Sequence, residues 1–302
     1  MAGLPDVDPV CELSEARIVG ADTYLETYLD HPEGVAVAGD GRLYAGGEDG
    51  QIYRVNPETN AVEKLADTGG FVLCLTLDAT EENLYVCDFQ EHTVFRLPLD
   101  DGRAAGELET VITGSETETP IQPNYAVFDS DGRLFLSDSG DRRASMDESD
   151  GSVLVIEPDG TERVLTQELS AWTNGLALSQ DERTLYVAET GAELVSAVHL
   201  TEGAEIESIE PVVEDFGAVD GIALDANDDL YAASIGDNAV YRHRDGETEV
   251  VLTDPVGLTM CNPTNVAFGG SEMKTLYIAN LGLPHIIAVE IDHPGRYPTA
   301  RL

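Results

Sequence analysis

The sequence predicts an all-β fold, a six-bladed β-propeller whose last blade is closed by an N-terminal strand. Three features predict it. One pattern of residues recurs six times with a period of about forty to fifty. Each copy alternates apolar and polar positions with period two, and no heptad or sustained helical period occurs anywhere. The final copy is too short for a whole blade, while an unassigned strand-like segment stands before the first.

The copies begin at Glu33, Leu73, Asn124, Asn174, Asp220 and Thr264. They read EGVAVAGDGRLYAGG, LCLTLDATEENLYVCD, NYAVFDSDGRLFLSD, NGLALSQDERTLYVAE, DGIALDANDDLYAAS and TNVAFGGSEMKTLYIAN. Each predicts an apolar first strand, a polar turn, and a second strand opened by Leu-Tyr or Leu-Phe. Third strands follow in QIYRV, TVFRL, SVLVI and AVYRH. After Thr264 there is chain for about three strands, so ARIVGADTYLETYL is expected to be the fourth strand of the last blade, leaving no open sheet edge. Residues 1–302 read as one domain, with 1–15 a loose N-terminal extension.

Hydrophobic residues are 42% of the 302 positions, enough for a sizeable core. Asp and Glu number 58 against 16 Lys and Arg, a net charge of −42, and the lysines are Lys64 and Lys274 alone. A folded chain this acidic repels itself at low salt, and abundant salt screens the repulsion. The balance points to a very salty cytoplasm and argues against nucleic acid or an anionic membrane as partner. FVLCLTL, the longest apolar run, is too short to cross a bilayer. The opening MAGLPDVDPVCELSEAR has neither a basic region nor an apolar run, so no signal peptide is expected. Cys11, Cys74, Cys87 and Cys261 show no CxxC spacing, and free thiols are expected; Cys74 and Cys87 could face each other on neighbouring strands without being bridged.

In a propeller the first strand of each blade lines the central channel and the second returns antiparallel to it. Turns such as Asp40-Gly41 and Asp131-Gly132 then gather on one face. The starts of the first strands and the ends of the second strands share the other. Around the axis the starting column is Glu33, Leu73, Asn124, Asn174, Asp220 and Thr264. Buried polar groups need partners, and two carboxylates aimed at one axis repel. A divalent cation meets both demands, a water-filled polar channel being the alternative. Oxygen donors suit a hard ion such as calcium, magnesium or manganese better than zinc or copper. The ending column is Gly47, Asp88, Asp138, Glu189, Ser234 and Asn280, read mainly as loop caps. Asp138 stands out because it leads into DSGDRRASMDESDG; that loop and residues 104–122 are lid candidates. Arg142 and Arg143 there are candidates for substrate binding, or for salt bridges with surrounding acids.

PEGVAV, QPNYAVFDSDGRLF, TNGLALSQDERTLYVAET, VDGIALD and TNVAFGGSEMKTLYIAN together resemble the senescence marker protein / gluconolactonase / luciferin-regenerating enzyme family. The resemblance runs from about Glu33 to Asn280. It implies one divalent ion on the axis, often calcium, and hydrolysis of sugar lactones. It implies Glu33, Asn174 and Asp220 as direct ligands, with Asn124 a further ligand or a holder of water or substrate. The chain departs from the family pattern at three places. Gln122 stands where such lactonases often have arginine, Tyr125 follows Asn124 where they commonly have aspartate, and Val35 replaces a proline. LYVAET is also similar to strictosidine synthase-like and paraoxonase-type propellers.

The expected function is therefore metal-assisted lactone hydrolysis by a monomer or small homo-oligomer. Asp220 is the first choice of general base and Asp138 the second; Asn124, Gln122 and Arg142 are the substrate-binding candidates. No GxSxG elbow supports a serine hydrolase. An arylesterase, a strictosidine synthase-like enzyme or a non-catalytic, metal-stabilised binding propeller are the alternatives.

Overall fold

A strand that alternates with period two offers one face to each neighbouring sheet. In this computed structural model, which describes residues 9–21, 28–112, 122–141, 150–169, 171–214 and 216–297, the strands group into six antiparallel sheets. The chain is a six-bladed β-propeller. Blade 1 is Val35–Val37, Leu43–Gly46, Gln51–Asn56 and Ala61–Asp67. Blade 2 runs from Val72–Leu77 through Asn83–Asp88 and Thr93–Asp100 to Glu109–Ile112. Blades 3, 4 and 5 have inner strands Pro123–Phe128, Thr173–Leu178 and Val219–Leu224 and end on Glu162–Thr166, Ile206–Glu214 and Glu247–Thr253. Blade 6 is Pro263–Gly269, Thr275–Asn280 and Ile286–Glu290, completed by Arg17–Val19. Arg17 pairs with Ala288 and Val19 with Ile286, so the closure expected of the N-terminal segment is the one formed.

Burial follows position in the blade. The inner strands Val72–Leu77 and Thr173–Leu178 are buried at every residue, whereas the outer strand Ala61–Asp67 is not buried at any. Between each pair of neighbouring blades lies an apolar layer. Ile52 and Tyr44 of blade 1 meet Leu84 and Leu97 of blade 2, and Tyr231 and Val251 of blade 5 meet Leu276 and Ile287 of blade 6. Each fully buried Leu or Ile in these layers contributes roughly 1.5–3 kcal/mol relative to exposure. Every inner strand also touches the inner strands of the blades on either side, which closes the ring round the axis.

Two parts of the chain differ from the sequence reading. The segment expected to be a loose extension is partly built in: the Val10 and Cys11 amides donate to the Val250 and Val251 carbonyls at 2.9 and 2.8 Å, and Cys11 is buried. An unpaired outer strand edge in blade 5 supplied those acceptors. Within the 104–122 lid candidate, Glu109–Ile112 is the outer strand of blade 2; residues 113–121 lie outside the described residues. Cys74 and Cys87 are register partners across blade 2, and both are free thiols.

Candidate functional site

The site begins with a local irregularity. In blades 2 to 6 the register between inner and second strand slips at the start of the inner strand, after Val72, Pro123, Thr173, Val219 and Pro263. Such a bulge places two consecutive residues opposite one and re-aims their side chains. The bulged pairs are Leu73 and Cys74, Asn124 and Tyr125, Asn174 and Gly175, Asp220 and Gly221, and Thr264 with Asn265. The first member of each is the residue that the sequence placed in the axial column.

Around the axis the glycines matter as much as the donors. A Cβ on Gly34 would lie 2.6 Å from the Leu73 carbonyl oxygen, and one on Gly221 2.6 Å from that of Thr264. At Gly175 it would collide with the Asp220 carbonyl. These glycines follow Glu33, Asp220 and Asn174 directly, so the inner strands can approach closely at the level of the donors. Gly175→Ala should therefore destabilise the fold by about 3 kcal/mol. Gly203→Ala, where the nearest atom is 3.8 Å away, should cost well under a third of that; urea denaturation of both variants checks this.

The structure brings Glu33, Asn174 and Asp220 together. Asp220 is buried, and loss of hydration raises its carboxyl to about 8, with a hydrogen bond to Asn174 pulling the other way. Glu33 is half-buried as a residue, yet its Oε2 is out of solvent and has no hydrogen-bond partner. Burial first, and then the charges of Asp220 and Glu48, push its carboxyl well above the ordinary range. Asn174 Oδ1 is likewise buried and unpartnered. Two orphaned oxygens beside a carboxyl that resists ionisation are costly in a folded core. An oxygen-seeking divalent cation satisfies all three, so the donor set fits such an ion.

The two axial amides are held by hydroxyls that the sequence reading missed. Asn174 Nδ2 donates to Thr190 Oγ1 at 3.0 Å, and that hydroxyl donates to the Val219 carbonyl at 2.7 Å. One blade earlier, Asn124 Nδ2 donates to Ser139 Oγ at 2.9 Å, which donates to the Thr173 carbonyl at 2.7 Å. Each relay commits the amide nitrogen to the protein, and at Asn174 the oxygen is left without a partner. Each also ties one blade to the residue just before the next blade's donor. The signal was in the sequence: the residue after the ending column is a hydroxyl in the two blades whose donor is Asn, and Glu48, Phe89, Ile235 or Leu281 in the others. Thr264, also in the axial column, closes the circle by donating to the Glu33 carbonyl at 2.8 Å. Thr190→Val should loosen the Asn174 amide and raise the Kd for a divalent cation about tenfold or more, read by competition with a chelating dye.

The remaining predicted residues lie farther out. Asp138 is buried, and its Oδ1 accepts the amides of Gln122 and Gly140 at 2.8 and 3.0 Å, which fixes the strand end. Gln122 is buried with its side-chain Oε1 unpartnered. Arg142 and Arg143 lie outside the described residues. On the rim, His31 Nδ1 stands 3.1 Å from Asp30 Oδ1 and 3.5 Å from Glu48 Oε2. This partly exposed cluster adds negative potential beside Glu33.

Comparison with known proteins places these features in context. Residues 31–281 match the model of the SMP-30/gluconolactonase/LRE-like region. The lactonase drp35 of Staphylococcus aureus is 26% identical over 250 residues, covering 77% of this chain and 72% of its own. A gluconolactonase from Xanthomonas campestris superposes with a TM-score of 0.72 at 20% identity, covering 95% of this chain and 96% of its own. Regucalcin from Agrobacterium tumefaciens, described as a calcium-binding protein, does so with 0.74 at 16% identity, covering 94% and 97%.

Proposed function

The chain belongs to the SMP-30/gluconolactonase/LRE-like family, and from that membership we propose that it is a divalent-cation-dependent hydrolase opening a sugar lactone to its acid. Glucono- and pentonolactones are the substrates in view. The observation that carries the reading is the pair of orphaned oxygens, Glu33 Oε2 and Asn174 Oδ1, beside the buried Asp220 carboxyl. A passive scaffold has no need for such a set. Glu33, Asn174 and Asp220 would hold the ion, calcium before magnesium, manganese or zinc, with Asn124 beside them. When bound, the cation supplies Lewis-acid polarisation of the lactone carbonyl.

The chain's own groups carry the proton. The Asp220 carboxylate takes a proton from water as that water adds to the carbonyl carbon. The same proton returns to the ring oxygen as the ring C–O bond breaks, giving a hydroxy acid. Asn124 and the unpartnered Gln122 Oε1 orient substrate hydroxyls at the mouth; Arg142, outside the described residues, is assigned the same role from the sequence alone. Asp138, fixed by two amides, is the second choice of base.

The test is proton release from glucono- and pentonolactones against an enzyme-free blank, after chelation and after adding back single divalent ions. Restoration above the blank supports the reading; rates equal to the blank with every ion would sink it. The assay belongs in concentrated KCl, because we read the net charge of −42 as adaptation to a salty cytoplasm. Four free cysteines are consistent with a reducing compartment. Melting temperature and rate should both rise with KCl. A monomer or small homo-oligomer is sufficient, since the donors come from one chain.

A further inference from the structure

The second residues of the bulged pairs form a ring of their own, directly beneath the donors. Blades 4 and 5 place Gly175 and Gly221 there, and Gly34 holds the equivalent place in blade 1. Blades 2, 3 and 6 place Cys74, Tyr125 and Asn265. Three side chains are thus missing from the ring, and the Tyr125 ring occupies the space. Its hydroxyl donates a long hydrogen bond, 3.5 Å, to Asn265 Oδ1. Blades 3 and 6 are diametrically opposite in the six-blade order, so Tyr125 spans the channel from one side to the other. It lies within the field of Asp220 and packs against the apolar layer between blades 2 and 3.

Below Tyr125 the channel changes character. A cavity of about 60 Å³ follows, walled by Val37, Leu75, Leu178, Leu224 and Phe268, with Tyr125 as one of its lining residues. The C-terminal segment contributes Arg296 and Tyr297 to the cavity lining, and Arg296 hydrogen-bonds the Leu178 carbonyl and pairs with Asp228 at 3.2 Å. Polar donors therefore stand on one side of a single aromatic ring, and on the other a cavity with mainly apolar walls, whose lining also includes Thr76, Asp78, Glu81 and Arg296.

Building on the lactonase reading, we propose that Tyr125 is the specificity-determining floor of the axial site. It stops a substrate at the level of the donors and denies the apolar channel to any alkyl substituent. Compact, hydroxylated lactones fit above it, while lactones with an alkyl tail must leave that tail in solvent. Removing the ring joins the site to the void, so a tail of two or more methylene groups becomes buried.

The experiment compares kcat/KM for δ-decanolactone with that for δ-valerolactone in wild-type protein, Tyr125→Ala and Tyr125→Phe, with cation present. Tyr125→Ala should raise the ratio about tenfold or more, the worth of burying two methylene groups. Tyr125→Phe keeps the ring and should retain the wild-type ratio, which a role for the hydroxyl would not allow. A ratio unchanged by Tyr125→Ala, or raised equally by Tyr125→Phe, would overturn the proposal. If Tyr125→Ala does not fold, Tyr125→Val takes its place, since a β-branched residue suits the strand and still opens the channel. Calorimetric titration with 1-hexanol separates this inference from the lactonase reading. Saturable uptake by the Ala or Val variant and not by wild type supports the floor even if no lactone is turned over. Equal uptake by wild type would overturn it whatever the lactone assays give.

Discussion

Asp220→Asn should leave the propeller folded and lower kcat/KM on a sugar lactone by roughly 10²–10⁴-fold, the usual contribution of a positioned general base. The substitution is close to isosteric and places a neutral amide where burial already opposes a charge. Melting of the cation-free variant should therefore match or exceed wild type at alkaline pH. Affinity for the cation should fall as well, because one of two carboxylates is lost, so rates are to be compared at saturating cation. The Asp138→Asn variant is the companion measurement. Asn keeps an oxygen for the Gln122 and Gly140 amides, so the strand end survives, and a change in rate there reports chemistry rather than folding. Undiminished turnover by Asp220→Asn, with loss in Asp138→Asn, would move the base to Asp138. Loss in neither would remove both carboxylates from the mechanism.

How much of this could be read from sequence is decided by which interactions are periodic. Blade count and the closing strand were legible because each repeat carries the same order of apolar strand, polar turn and second strand; Val35–Val37 and Val72–Leu77 differ in length, but both are buried throughout as inner strands. The donor column was legible because Glu33, Asn174 and Asp220 interrupt apolar strands at one register. Thr190 and Ser139 escaped notice because a hydroxyl after a strand end is ordinary by itself; its meaning lies in the Asn across the blade. Tyr125 was visible only as a departure from a family pattern. Its span of the channel depends on glycines in other blades, and no local window contains Gly175, Gly221 and Asn265 together. The packing of Cys11 onto blade 5 is long-range in the same way.

Chelation should make the protein less stable in a manner that depends on pH. In the cation-free fold the Asp220 carboxyl is raised to about 8 from an ordinary value near 4, and Glu33 is raised as well. Between those limits the folded chain binds a proton that the unfolded chain has lost, so stability falls as pH rises. That part of the stability is present in full below about 4 and gone above about 8. A divalent cation competes with the same proton, so its stabilising increment should grow across the window. At a cation concentration a hundred times the Kd the increment is about 2.7 kcal/mol. For a chain of 302 residues that corresponds to a rise in Tm of about 4 °C. Thermal melts at pH 5, 6.5 and 8 in concentrated KCl, with chelator and then with calcium, read both trends, and a weakly buffered titration at pH 7 should detect proton release as the cation binds. An increment that is the same at every pH would mean that the cation binds away from Glu33 and Asp220. The orphaned oxygens would then need water rather than metal, and the axial donors would lose their claim to the chemistry.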